Sequence, residues 1–412
     1  ALPICDWDDV KRLGEKYYLM FDFMINHISR QSKYYKDFQE KKDESAYADL
    51  FLRWEKFWPE NRPTKEDVDL IYKRKDKAPM QEIIFADGSK EYLWNTFGEE
   101  QIDLDVTKQV TMDFIQKTIE NLASNGCDLI RLDAFAYAPK EPGEKNFLND
   151  PATWELLDKV KVLADEYGLQ LLPEIHASYS EKIYQTVADK GYMTYDFFLP
   201  GLVLDAIENK DGSYLAAWAD ELRDHQIHTV NMLGCHDGIP LLDLKGLLPE
   251  ERIQSLIGTI VARGGMVKDL HGQKNIYYQV NATYYSALGA DDDKMLLARA
   301  IQLFMPGKPQ VWYLDLFAGK NDVEAVRHAG AGGHKEINRT NLNAEQINTA
   351  LQRDVVQRQL DLLRLRKTHR AFHSDAEITT TWSAPVLSIC WKHGADMIAL
   401  RADLVKDKFE IQ

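Results

Sequence analysis

Cysteine is scarce: four residues in 412, Cys5, Cys127, Cys235 and Cys390, scattered and without a CxxC pair. That excludes a disulfide-stapled scaffold and a cysteine-based zinc site. Cys127 and Cys235 border apolar runs, so buried free thiols are expected. Long apolar runs are missing too, and no stretch matches the ~20 residues of a membrane-spanning helix. The opening residues carry no signal-peptide pattern, which sets the expectation of a reducing cytoplasm. Positive charge is in deficit: 50 Lys and Arg face 65 Asp and Glu, a net charge of −15. Nucleic acid and acidic membrane surfaces are poor partners for such a chain. A neutral substrate is unaffected, and an anionic one needs a local basic site. There is no internal repeat and no low-complexity tract, and a composition of 45% hydrophobic and 28% charged residues is that of an ordinary globular protein.

What is present is a set of three carboxylates, each closing an apolar, strand-like run. Asp133 ends Leu129-Ile130-Arg131-Leu132-Asp133, Glu174 ends Leu171-Leu172-Pro173-Glu174, and Asp237 ends Met232-Leu233-Gly234-Cys235-His236-Asp237. A poorly solvated carboxylate is costly unless something pairs or uses it. Catalytic groups at strand C-termini are how a parallel β/α barrel builds its upper face, and paired carboxylates are the tools of glycosyl transfer.

Strand-like runs at 19–25, 128–132, 170–173, 193–199, 227–233 and 310–314 alternate with helical periodicity at 110–123, 154–167, 214–221, 294–304 and 355–368. This is the rhythm of an α/β fold, here a (β/α)8 TIM barrel. Six strands are visible where a closed barrel needs eight. The expectation is that the first two strands are missing ahead of Leu19 and that the chain stops soon after a β-rich tail begins. Two segments break the rhythm, an aromatic-rich insertion after the strand at 19–25 and an excursion after Asp237. The expected organisation is partial barrel 1–28, inserted domain 29–94, barrel 95–238, second inserted region 239–281, barrel end 282–373 and the start of a C-terminal β domain, 374–412. Counting the two missing strands, the insertions follow strands 3 and 7.

Arg131 and Asp133, two apart, share one face of a strand, where a guanidinium keeps its neighbour ionised as a nucleophile requires. Glu174 follows an aliphatic run that suits a general acid. His236 beside Asp237 offers a donor for sugar hydroxyls and a carboxylate for a cationic transition state. The motifs DFMINH (22–27), RLDAFAY (131–137), EIH (174–176) and HDG (236–238) stand in the order of the α-amylase superfamily of retaining glycosidases and transglucosidases, which the chain resembles. Over essentially its whole length it is similar to the sucrose phosphorylase branch. The segments carrying this are YYLMFDFMINHISR (17–30), LIYKRKDKAP (70–79), LWNTFGEEQIDLDV (93–106), YQVNATYYSALG (278–289), AGKND (318–322) and INR (337–339).

The resemblance implies a double displacement with Asp133 as nucleophile, Glu174 as acid/base and Asp237 as transition-state stabiliser, the first two roughly 5–5.5 Å apart. It implies that His27, Arg131 and His236 hold the glucosyl unit and that Phe97 and Tyr137 line its pocket. On the acceptor side it implies Arg74 and Lys75 for phosphate, with His176, Tyr278, Gln279 and Arg339 around them. No cofactor or metal is expected. The partners are a sugar and inorganic phosphate, with a homodimer as the assembly to consider. The sequence departs from the branch at three places on the acceptor rim: Gly234-Cys235 ahead of His236, a shorter loop into Tyr278, and a glycine-rich AGAGGHKE at 329–336. Sucrose, sucrose 6′-phosphate, glucosylglycerol and glucosylglycerate therefore all stay open as donors. An α-glucosidase or transglucosidase of the same fold is a further alternative. So is a non-catalytic barrel homologue, although such proteins usually lose a triad carboxylate. With two staves absent, the expectation for residues 1–412 alone is an open barrel without turnover.

Simpler readings stand beside these. Arg131–Asp133 alone is a structural ion pair, and the basic run 72–77 alone is a solvated face. His236-Asp237 as metal ligands lacks a partner histidine at ligand spacing. Tyr284-Tyr285 and Phe57-Trp58 read as packing residues, Asp291 to Asp293 as a helix N-terminal cap, and His271 and His334 as surface residues.

Overall fold

The structure, a computed structural model, describes residues 5–75, 77–269, 277–330 and 333–412, and at 61, 268, 269, 277 and 278 the backbone alone. His271 and most of the loop leading into Tyr278 lie outside the described residues. The chain divides into two compact units, one running to Ile175 and the other from His176 onward, and each is described by itself.

In the first unit, β1 (Leu19–Met24) is followed by β2 (His27–Ser29), the hairpin β3 (Met80–Ile84) and β4 (Lys90–Trp94), and β5 (Gln101–Asp103). Then come α1 (Gln109–Ser124), β6 (Cys127–Asp133), α2 (Ala152–Glu166) and β7 (Gln170–Pro173). The strands β1, β6 and β7 form a parallel sheet in that order, with Asp22 opposite Arg131, and Arg131 opposite Leu172. Helix α1 buries Ile115, Ile119 and Leu122, one stripe at helical spacing. The long insertion is closed by the antiparallel pairing of β2 with β5, which sets His27 opposite Asp103. It has its own cores, one around Tyr35, Phe38 and Phe51 and one around Trp54, Trp58 and Trp94.

In the second unit, β8 (Thr194–Asp196), β9 (Thr229–Asn231) and β13 (Lys308–Pro309) form a parallel sheet, with β9 in the middle. Helices α3 (Leu199–Asn209), α4 (Ser213–Asp224), α5 (Asp292–Phe304) and α6 (Asp354–Thr368) connect and cover them. After β9, an antiparallel sheet is made by β10 (Ile239–Pro240), β12 (Tyr277–Asn281) and β11 (Met266–Asp269). The C-terminal residues build the antiparallel meander β14 (Glu377–Ser383), β15 (Val386–His393), β16 (Asp396–Asp403) and β17 (Lys408–Ile411).

Two strand expectations are corrected. The run 193–199 is a strand only as far as Asp196, because the Asp196 carboxylate accepts from the backbone N–H groups of Phe198 and Leu199 and so opens α3. Helix α3 is buried nearly all round, so no amphipathic period announced it. At 310–314 the strand comes earlier, at Lys308–Pro309, and Tyr313–Leu316 is a helical turn that buries Leu314 and Asp315. Other expectations hold: Asp291 caps α5 through the Lys294 N–H, Tyr284, Tyr285 and Trp58 are buried packing residues, and Cys127 is a buried free thiol. His334 is half-buried in a helical turn, Gly333–Asn338, rather than a surface residue.

Candidate active site

In the first unit the site is organised by Arg131. Its register across the sheet puts its guanidinium between β1 and β7. There Nη1 donates to Asp133 Oδ1 at 2.7 Å and to Asp22 Oδ1 at 3.0 Å, and Nη2 lies 2.9 Å from Glu174 Oε1. The other Glu174 oxygen accepts the Ala134 N–H at 3.1 Å. Ala134 holds a φ of +52°, a left-handed conformation that a residue with a Cβ adopts at a cost of about 1–2 kcal/mol. That turn directly after Asp133 aims the amide at Glu174. Asp133 and Glu174 thus share one cation at adjoining strand ends.

The electrostatics differ from the expectation of an arginine simply keeping Asp133 ionised. Burial raises the Asp133 carboxyl first and the charge on Glu174 raises it further, and Arg131, divided among three carboxylates, offsets only part of this. The result is about 6. Glu174 is not in purely aliphatic surroundings either, since two donors hold its oxygens.

Beside this dyad lies an aromatic cluster. The ring of Phe97 meets Tyr137 edge-on at 5.1 Å and His27 at 5.3 Å, and Tyr137 packs on Phe147 at 4.9 Å. The Arg74 guanidinium sits 5.9 Å from the ring centres of both Phe97 and Tyr137. Lys75 braces the same loop by donating to the Asn95 side chain and, at 3.4 Å, to the Phe97 carbonyl. Burial lowers its ammonium to about 8. His27, Phe97, Arg131, Asp133, Tyr137 and Glu174, together with Arg74 and Lys75, therefore all belong to the first unit.

In the second unit, Asp237 is held by a lysine, an arginine and a histidine. Lys335 Nζ donates to its Oδ1 at 2.6 Å, Arg339 Nη2 reaches the same oxygen at 3.1 Å, and His236 Nε2 is 3.3 Å from Oδ2. Burial pushes this carboxyl up, but Lys335, His236 and Arg339 together hold it well below the usual carboxylate range. The backbone beneath is pinned as well. Arg339 Nε donates to the His236 carbonyl, Asn338 to the Cys235 carbonyl and Asn281 to the Asp237 carbonyl. Gly238 has a φ of +112°, and a methyl there would lie 2.7 Å from the Val280 carbonyl, so glycine is required.

The structure thus brings His236, Asp237 and Arg339 together. His176, in the same unit, lies 3.5 Å from Asp243 and is stacked on Phe197 at 3.8 Å. Gln279 is buried in β12 opposite Pro240. The side chain of Tyr278 lies outside the described residues. Sequence reasoning missed Lys335, whose signal was in view: it is a lysine inside the glycine-rich departure ahead of INR. It also missed Asp22 as the third carboxylate on Arg131, which only strand register could show.

A family model for the alpha amylase catalytic domain matches residues 7–239. The chain is 54% identical to a sucrose phosphorylase of Streptococcus mutans over 90% of this chain and 77% of that protein. It is 45% identical to a sucrose 6(F)-phosphate phosphorylase of Ilumatobacter coccineus, over 95% and 81% of the two chains. Among solved structures, it matches the sucrose 6F-phosphate phosphorylase from Thermoanaerobacter thermosaccharolyticum with a TM-score of 0.93 at 36% identity, covering 98% of this chain and 82% of that one.

Proposed function

The chain belongs to the alpha-amylase family, in its sucrose phosphorylase branch, and from that membership we propose how its residues divide the work. It is a glucoside phosphorylase, a hexosyl-transferring enzyme acting on a sugar and inorganic phosphate. The proposed donor is sucrose, supported by the 54% identity with the Streptococcus mutans enzyme. Asp133 attacks the anomeric carbon, the bond from that carbon to the leaving oxygen breaks, and Glu174 delivers a proton to that oxygen. A β-glucosyl ester on Asp133 results. A phosphate oxygen then attacks the same carbon while Glu174 accepts its proton, releasing α-glucose 1-phosphate with retained configuration.

The observation that carries this reading is Arg131 holding Asp133 and Glu174 at adjoining strand ends. Its guanidinium stabilises whichever of the two is ionised, so one proton can pass between the roles of acid and base. Asp237, kept ionised by its cations, is assigned the oxocarbenium-like transition state. His27, His236 and Arg131 are assigned the glucosyl hydroxyls, Phe97 and Tyr137 the pocket walls, and Arg74 with Lys75 the phosphate. His176, Tyr278, Gln279 and Arg339 are assigned to the acceptor side. No helix among the described residues is long and apolar enough to cross a membrane. A cytoplasmic site of action is proposed from the free thiols.

A second reading, sucrose 6′-phosphate as donor, has support from the 45% identity with the Ilumatobacter coccineus protein. The test is incubation of the enzyme, expressed from its complete reading frame, with each donor, with and without phosphate. Phosphate-dependent glucose 1-phosphate from sucrose is the expected result. A strong preference for sucrose 6′-phosphate would select the second reading, and free glucose without phosphate dependence would overturn both.

A further inference from the structure

We infer that Lys140, which has no place in the chemistry above, is a positioning residue: through Asn26 it dictates which ring nitrogen of His27 carries the proton, and it thereby aims that proton at a sugar hydroxyl. The inference rests on the proposed role of His27 at the glucosyl unit.

Lys140 is buried in the segment that follows β6, and its ammonium has three protons and no capacity to accept. All three have partners. Nζ lies 2.8 Å from Asn26 Oδ1, 2.8 Å from the Tyr137 carbonyl and 2.9 Å from Asp103 Oδ2. One cation thus ties together the end of β1, the end of β5 and the turn that carries Tyr137. Asp103 is in turn held by the side chain and the backbone N–H of Thr96, so its charge is fully engaged.

The contact with Asn26 has a logical consequence. Because lysine only donates, the oxygen of the Asn26 amide must face it, and the amide nitrogen must face the other way. That nitrogen is 3.2 Å from His27 Nδ1. An amide NH2 only donates, so Nδ1 must accept and carry no proton. The single proton of a neutral imidazole then sits on Nε2. Burial above all holds this ring neutral, with the charge of Asp103 opposing and that of Lys140 assisting, and these two are the charged groups that face it.

On the Nε2 side the nearest polar group is the amide nitrogen of Gln101, at 2.9 Å. Gln101 cannot turn its oxygen toward the ring without cost, because that oxygen accepts the Gly98 N–H at 2.9 Å. Two donors therefore face each other across the ring edge. The arrangement is relieved by an oxygen that accepts from both, and a sugar hydroxyl has two lone pairs for this purpose. His27 Nε2–H and the Gln101 amide form a two-donor cradle for one hydroxyl, and Lys140 sets its polarity from behind.

The test is the tautomer of His27, read from the 15N shifts of its imidazole in the sugar-free enzyme, together with steady-state kinetics. The expected wild-type result is an Nε2–H ring. In Lys140→Met the Asn26 amide is free to turn, so the Nε2–H population should fall and kcat/KM for the glucosyl donor should drop about ten- to a hundredfold. Asn26→Asp, which keeps Lys140, places a carboxylate oxygen against Nδ1 and should move the proton to Nδ1 even if the lysine variant does not fold. A ring that stays Nε2–H in folded Lys140→Met or in Asn26→Asp overturns the inference. So does a changed tautomer with unchanged kcat/KM. Absence of phosphorolysis in the wild-type enzyme would instead overturn the functional reading, while the 15N result would still report on the relay.

Discussion

Asp133, the proposed nucleophile, must be ionised to attack, and it stands in a place that resists ionisation. Its raised value of about 6, against an ordinary 3.8, has a stability consequence. The folded state binds this proton more readily than the unfolded chain does. The fold therefore carries no penalty from this group below the ordinary value, and the penalty grows as pH rises through about 6. Asp133→Asn removes a charge that cannot then be penalised. The expected outcome is a protein more stable by about 1–3 kcal/mol at pH 7.5, with that gain vanishing near pH 4. Thermal melts at the two pH values check this. The same variant should lose at least ~1,000-fold in kcat, since the proposed glucosyl ester forms on this carboxylate. Retained activity would remove Asp133 from the nucleophile's role.

At the scale of elements, the segment between β9 and β10 shows how the fold serves the site. It carries His236 and Asp237, and hydrogen bonds to the carbonyls of Cys235, His236 and Asp237 come from Asn338, Arg339 and Asn281, on two other elements. From below, a methyl on Gly234 would lie 2.4 Å from the buried carboxylate of Asp315. Gly238 turns the chain where no side chain fits. Gly238→Ala meets both a disfavoured φ and the Val280 carbonyl, so a loss of about 1–3 kcal/mol is expected, with KM for the glucosyl donor rising as Asp237 is displaced. Denaturant melts and initial-rate kinetics measure the two effects, and a variant of unchanged stability would contradict the packing described here. The helical expectations at 110–123, 154–167, 214–221 and 355–368 came within three residues of the observed ends because each buries one face at helical spacing, and 294–304 did so too although that helix is buried on every side. Helix α3, buried nearly all round, was not legible, and its first residue falls inside the strand-like run at 193–199.

At the scale of the molecule, the C-terminal sheet belongs to the core of the second unit. Leu387, Ile389, Trp391 and Leu400 are buried in one cluster with Leu296, Ile301 and Phe304 of α5, and Trp391 Nε1 donates to the Phe304 carbonyl at 2.6 Å. Ending the chain at Ser374 would strip that face of α5. The expected outcome is an insoluble or protease-sensitive product, checked by limited proteolysis. A soluble, cooperatively melting fragment would show that the sheet is dispensable.

The family and its class of reaction were legible in the sequence. Asp133, Glu174 and Asp237 stand out because a charge at the end of a continuous apolar run is costly, so it persists where it is paired or used. The ordered motifs around them carried the family. What the chain could not disclose were relations between distant residues: Arg131 shared by Asp22, Asp133 and Glu174, Lys335 on Asp237, and Lys140 behind His27. Such contacts are set by strand register and by where loops return, and neither leaves a local pattern. By itself, then, the sequence determined the class of reaction and singled out the carboxylates proposed to perform it, since these follow from local burial and motif order. Only the tertiary structure decided how each carboxylate is charged and which face of His27 presents a proton, because both depend on donors and charges brought in from elsewhere in the chain.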